Sequence, residues 1–152
     1  MKTVDRARAY SIIRNLLPPG PISVIEIGCR DGRGRMYMGE QVRYLGLERS
    51  KWFKTWRGVD VRTGFDIEKR TDIPSGFDVG ICLRIYEDSR PGTVVWRVGQ
   101  TVKKEGMVFI GLQGYGDVDR VRKMFKSVKV WEAPKVLLAQ CEGMRTAQEV
   151  AA

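Results

Sequence analysis

Val24-Ile25-Glu26-Ile27-Gly28-Cys29-Arg30-Asp31-Gly32 is the stretch on which the fold turns. Its first half continues Ile22-Ser23 as a short β-branched run, the composition of a strand. Its second half is a glycine-bearing turn, where the backbone can take torsions other residues avoid and can come close to a ligand. Upstream, Val4, Ala7, Tyr10, Ile13 and Leu17 recur at helical spacing and Pro18-Pro19-Gly20 ends that helix. Downstream, a helix is expected over Gly34 to Gln41, and then a second strand, Val42 to Leu47, ending at Glu48.

The same alternation continues along the chain. Lys51 to Trp56 reads as a short helix and Val59 to Val61 as a weak third strand. Phe77 to Leu83 is nearly continuous in apolar residues, as in a strand buried on both faces. Gly92 to Lys104 reads as a helix with Val94, Val95, Val98 and Val102 on one side, and Met107 to Leu112 as a fifth strand. Asp117 is an N-cap candidate for a helix reaching about Lys126. Val128 to Trp131 and Val136 to Cys141 are two strands joined through Glu132-Ala133-Pro134-Lys135, a hairpin connection. Strands alternating with helices predict a mainly parallel α/β sheet covered on both faces. The closing hairpin predicts one antiparallel strand, Val136 to Cys141, inserted beside the fifth.

Composition narrows the chemistry. The 152 residues are enough for one domain with a hydrophobic core, expected over 1–143, with 144–152 as a flexible tail. No apolar run approaches the ~20 residues of a membrane span and the first ten residues are charged, so a cytoplasmic protein with no membrane partner is expected. There is no histidine. That removes Ser-His-Asp and Cys-His nucleophiles and histidine metal ligands. Cys29, Cys82 and Cys141 lie in or beside apolar runs without a CxxC pair, so reduced thiols, no disulfide and no metal are expected. The net charge of +9 suits either solubility or a polyanionic partner.

In a sheet of this kind the ligand lies beyond the carboxyl ends of the strands. Glu48 stands 20 residues beyond Gly28, where a carboxylate can accept both hydroxyls of a ribose. A nicotinamide fingerprint would need glycine at 30 and 33, and both are arginine. VIEIGCRDG resembles motif I of the class I S-adenosylmethionine-dependent methyltransferases, a family with a Rossmann-like seven-stranded sheet. Glu26 stands at the acid of that motif, Gly28 and Gly32 at its outer glycines and Cys29 at the small residue between. Arg30 replaces the usual central glycine. TGFDIEKRTDIPSGFDV is similar to the region before the family's fourth strand, with Asp66 at the acid that contacts the adenine amine and Ile67 beside it. The resemblance runs from about Val4 to Gly143. It implies S-adenosyl-L-methionine as cofactor, bound by Glu26, Gly28, Cys29, Gly32, Glu48, Asp66, Ile67 and Leu83. Residue-level alternatives stand beside it. Glu26 could pair with Arg30 or Arg33, Glu48 could be a surface acid beside Arg49, and Asp66 could cap a helical turn.

The C-terminal half resembles most the heat-shock-type ribose 2′-O RNA methyltransferases, without their Lys-Asp-Lys-Glu tetrad. The tetrad's aspartate falls at Leu83, its second lysine near Ile110 and its glutamate near Val136, with Arg84 and Glu142 displaced neighbours. Arg84, Tyr86 and Glu87, just past the fourth strand, are the candidates nearest the acceptor. Arg49, Lys51, Lys54 and Arg57 are interleaved with Trp52, Phe53 and Trp56 after the second strand, a pattern that can hold phosphates and stack bases of RNA. Three classes therefore stay open: a minimal methyltransferase, a catalytically degenerate methyltransferase-fold binding module, and a nucleic-acid-binding domain. The methyl acceptor and the oligomeric state are not legible in the sequence.

Overall fold

The computed structural model of the chain describes residues 5–84 and 91–151. Helix α1 (Arg6–Leu16) is capped by Asp5, whose side chain accepts from the Arg8 backbone N–H. It presents Ala9, Tyr10 and Ile13 to the core and is followed by β1 (Ile22–Ile27). A 3-10 helix (Arg33–Tyr37) leads to β2 (Val42–Glu48), and a loop with a second 3-10 turn (Trp56–Gly58) leads to β3 (Val61–Thr63). The rest of the sheet comes from β4 (Phe77–Cys82), β5 (Val102–Gly111), β6 (Phe125–Ala133) and β7 (Val136–Met144). Between them lie α2 (Pro91–Thr101) and α3 (Gly116–Met124), and a short α4 (Ala147–Ala151) follows β7.

The seven strands form one sheet in the order β3-β2-β1-β4-β5-β7-β6. β7 runs antiparallel to both β5 and β6, and the other observed pairings are parallel. The inserted antiparallel strand is thus the one expected from the hairpin. Register places Ile27 beside Leu47 and Cys82, and Cys82 beside Ile110, so four parallel strands finish along one edge.

Alternation along β1 splits the core in two. Ile25 and Ile27 face the layer of α2 and α3, with Leu45, Leu47, Val94, Val98 and Ile110. Ile22 and Val24 face the layer of α1, with Tyr10, Ile13, Tyr44 and Leu138. No helix among the described residues is long and apolar enough to cross a membrane.

Two expected helices differ. Gly34 to Gln41 forms the 3-10 segment instead of an α-helix. Gly34 and Gly39 interrupt it, each costing a helix about 1 kcal/mol relative to alanine. Gly34 is also needed for packing, because a Cβ there would sit 2.6 Å from the Tyr10 ring and 2.8 Å from Glu26 Oε1. Lys51 to Trp56 is an open loop. At its end the Trp56 ring is covered by Arg33 and Arg57, and a helix this short is marginal on its own. The third strand lies at Val61–Thr63 rather than at Val59 to Val61, and β5 begins at Val102 where helix was expected. The α3 N-cap is Tyr115, whereas Asp117 accepts from the backbone N–H groups of Gln113 and Gly114.

Candidate ligand-binding site

A cavity of about 630 Å³ opens at the edge where β1, β2 and β4 end. Its floor is Ile27, Leu47 and Cys82, and Gly28, Glu48, Phe65, Asp66 and Ile67 form its walls. Trp52 and Phe53 reach it from the loop after β2, and Arg84 from the end of β4.

Glu48 is the ordered anion of this cavity. It is 92 % buried as a residue (8 % exposed), yet its carboxylate is held by backbone alone. Oε1 accepts from the Arg30 N–H at 2.9 Å and Oε2 from the Ser50 N–H at 2.7 Å. Each carboxylate oxygen keeps a further lone pair for another donor. Opposite it, Gly28 adopts φ +72° and its N–H donates to Leu47 O at 2.8 Å. A Cβ at Gly28 would meet nothing within 4 Å, so the loop leaves open space there. Asp66 accepts from the Glu68 N–H through Oδ1, and its carbonyl accepts from the N–H groups of Lys69 and Arg70. It therefore caps a turn and lines the cavity at once. Arg70 lies 4.5 Å over the outer face of Phe65, fixing that ring beside Asp66.

Of the residues singled out from the sequence, Gly28, Glu48, Asp66, Ile67 and Arg84 line the cavity. Glu26, Cys29, Gly32 and Leu83 do not. Glu26 shares the facing of Val24 on β1, so it points into the α1 layer. There it is fully buried and accepts from Tyr10 Oη, from Tyr44 Oη at 2.5 Å and from Arg6 Nη2 at 3.2 Å. Its ion-pair partner is Arg6 rather than Arg30 or Arg33. Burial pushes the Glu26 carboxyl up, against the pull of the Arg6 guanidinium and the two tyrosine hydroxyls. Cys29 turns towards Gly46 under the sheet, where burial raises its thiol. Gly32 packs on Val59 and Val61, 2.5 Å from a Val61 methyl at the Cβ position. Leu83 enters the α1-side core, leaving its neighbours Cys82 and Arg84 at the cavity. Tyr86 and Glu87 lie outside the described residues. All three cysteines are buried and none forms a disulfide among the described residues.

Sequence reasoning missed Ser50, whose backbone rather than side chain grips Glu48, and Phe65, whose adjacency to Asp66 was the available signal. It also missed Arg6, for which the sequence holds no local cue.

The loop after β2 forms a basic and aromatic rim. Trp52 is 92 % exposed and lines the cavity. Trp56 carries Arg33 at 4.4 Å and Arg57 at 4.8 Å over its ring, and its backbone N–H donates to Asp31 O. Arg33 is also paired with Asp31 at 2.8 Å. This ties the glycine turn to the basic loop. Lys51 and Lys54 are exposed, and Arg49 lines the cavity.

Comparison with solved structures identifies the fold. A TehB-like S-adenosylmethionine-dependent methyltransferase from Corynebacterium glutamicum matches over 88 % of this chain and 86 % of its own, with 12 % identity and a TM-score of 0.69. A Burkholderia thailandensis 1,6-didemethyltoxoflavin-N1-methyltransferase, solved with S-adenosylhomocysteine, matches over 91 % and 79 %, with 17 % identity and a TM-score of 0.68. A Plasmodium falciparum protein assigned as a ribosomal RNA methyltransferase matches over 95 % and 98 %, with 12 % identity and a TM-score of 0.66. No protein-family model matches the sequence, and no curated protein matches it. The chain has the class I S-adenosylmethionine-dependent methyltransferase fold.

Proposed function

We propose that the chain is a minimal S-adenosylmethionine-dependent methyltransferase whose cofactor occupies the cavity at the ends of β1 and β2. The observation that carries this reading is the Glu48 carboxylate, buried, aligned by two backbone amides and set across from the open face of Gly28. In this reading Glu48 accepts the two ribose hydroxyls, Asp66 accepts from the adenine amine, and Phe65 and Ile67 cover the adenine faces. The cavity volume falls in the range typical of small-molecule sites, roughly 300–1,000 Å³. When bound, the cofactor supplies an electrophilic methyl group on a sulfonium.

Methyl transfer of this kind is an in-line displacement that needs chiefly alignment of donor and acceptor. The chain's own contribution is then to hold the ribose, enclose the adenine and leave the β4 end free for the acceptor. With no histidine and no intact tetrad, no side chain is assigned as an essential general base. Arg84, Tyr86 and Glu87 remain the candidates for orienting the acceptor. Residues 1–143 are read as a single domain with 144–152 appended, in the cytoplasm.

RNA is the acceptor class we favour. Arg49 and exposed Trp52 line the cavity and Lys51, Lys54 and Arg57 belong to the same loop, so we read a strand held on this loop as reaching the site. One of the structures sharing the fold is assigned to ribosomal RNA methylation. The test is calorimetry with S-adenosylhomocysteine followed by turnover on RNA, protein and small-molecule pools. Binding with turnover on RNA supports the whole reading. Binding without turnover on any pool leaves a catalytically degenerate binding module. Absence of binding removes the cofactor reading and leaves a nucleic-acid-binding domain.

A further inference from the structure

The glycine loop that grips Glu48 is conformationally costly. Gly28 and Arg30 both lie in the left-handed region, at φ +72° and +58°. Arg30 has a side chain, and that region is disfavoured for any residue that carries a Cβ. Strained backbone of this kind persists only where its surroundings over-determine it. On one side the loop is held by the Gly28 and Cys29 N–H groups on Leu47 O, and by the Arg30 N–H on Glu48 Oε1. The other anchor comes from a different element.

Arg6, in the first turn of α1, places Nη2 within 3.0 Å of Gly28 O, 3.2 Å of Glu26 Oε2 and 2.9 Å of Tyr10 Oη. Glu26, fully buried, is itself fixed by Tyr10 and Tyr44. The cluster has no slack: Gly34 gives it room that a single methyl would fill. A continuous set of contacts therefore runs from α1 through Arg6 to Gly28 O, along two residues of backbone to the Arg30 N–H, and on to Glu48 Oε1.

We infer that Arg6 is a positioning residue, which sets the glycine loop from α1 and through that loop orients Glu48 towards the ligand. The inference rests on the cofactor reading above for the identity of the ligand, but the loop-setting role can be measured without one. It also gives Glu26 its part. That acid acts from behind the loop, as the anchor for Arg6, and does not touch the ligand. Among the described residues Arg6 Nη1 is buried with no hydrogen-bond partner.

Arg6→Lys tests this. The ammonium keeps a cation near Glu26 but ends one bond short of Nη2, so it cannot keep the bond to Gly28 O. In the ligand-free protein, hydrogen exchange of the Arg30 amide should accelerate about tenfold while the core amides of β1 and β4 keep their protection. S-adenosylhomocysteine and adenosine should both weaken, by the same factor of about 5 to 20. Added to Glu48→Ala, Arg6→Lys should cost less than about twofold more, because its effect passes through Glu48. Where Arg6→Lys fails to fold, Arg6→Gln with Glu26→Gln removes both buried charges and is read the same way. Unchanged exchange at Arg30 overturns the inference. So does a loss confined to S-adenosylhomocysteine, which would place Arg6 on its amino-acid end, or losses that multiply in the double variant. If Arg30 exchange responds to Arg6→Lys but the wild type binds neither compound, the cofactor reading fails and the loop-setting role stands.

Discussion

Replacing Glu48 is the sharpest perturbation of the candidate site. Its two oxygens each accept one backbone N–H, from Arg30 and from Ser50, which leaves one outward lone pair per oxygen for two ribose hydroxyls. A hydrogen bond to a charged group is worth about 1.5–3 kcal/mol, and water refilling the gap in Glu48→Ala recovers part of the two lost bonds. The expected net loss is about 1.5–3 kcal/mol, or roughly 10- to 100-fold in affinity for S-adenosylhomocysteine. Glu48→Gln should be no milder. One of its two positions becomes an NH2 facing a backbone N–H that needs an acceptor, so the substitution pits donor against donor. The assay is calorimetry at fixed salt, with thermal melts confirming that each variant is folded. A wild type that binds, together with Glu48→Ala within threefold of it or Glu48→Gln indistinguishable from it, would refute the assignment of Glu48 to the ribose.

Gly28→Ala should lower stability by about 1–2 kcal/mol from its φ of +72° alone, since no atom lies within 4 Å of the new methyl; a melt together with calorimetry should show binding falling further than folding. Asp78 is held below the usual carboxylate range first by the Ser23 backbone N–H and then by Lys103 and the Ser23 hydroxyl, so its contribution is present above the unfolded carboxylate pKa and lost as pH falls through the folded one. Asp78→Asn should therefore be less stable than wild type at neutral pH and converge with it in acid, which denaturant midpoints across pH will show. Charge reversal at Lys51 and Lys54, which are exposed and outside the cavity lining, should weaken RNA binding and flatten its salt dependence while leaving S-adenosylhomocysteine affinity nearly intact; equal salt titrations for the two proteins would remove the loop as an RNA surface.

Local signals made the sheet readable. Val24 to Ile27, Val42 to Leu47 and Phe77 to Cys82 are short, mostly apolar runs broken only by Glu26, Arg43 and Asp78, because both faces of these strands are largely covered, and their length and bounding turn residues mark them as strands. Pro134-Lys135 breaks the pattern between β6 and β7, so the antiparallel closure was legible too. Gly28 and Glu48 were found by spacing, since a βα turn of fixed length brings the two strand ends together. The segments that failed were Gly34 to Gln41 and Lys51 to Trp56, where weak helical periodicity lost to contacts made elsewhere in the chain.

The sequence alone determined the sheet, its one reversed strand and the acid that stands across from the glycine turn, because each is written in periodicity or in short-range spacing. Tertiary structure decided which way the side chains of the motif point. Glu26, Cys29 and Gly32 belong to the same nine residues as Ile27, Gly28 and Arg30, yet only the last three meet the cavity. Strand alternation sends Glu26 into the α1 layer, where the partner it needs is Arg6, 20 residues away along the chain. Glu26, fully buried, is paired with a cation, but no local pattern says from which element that cation comes; only the packing of α1 on β1 does.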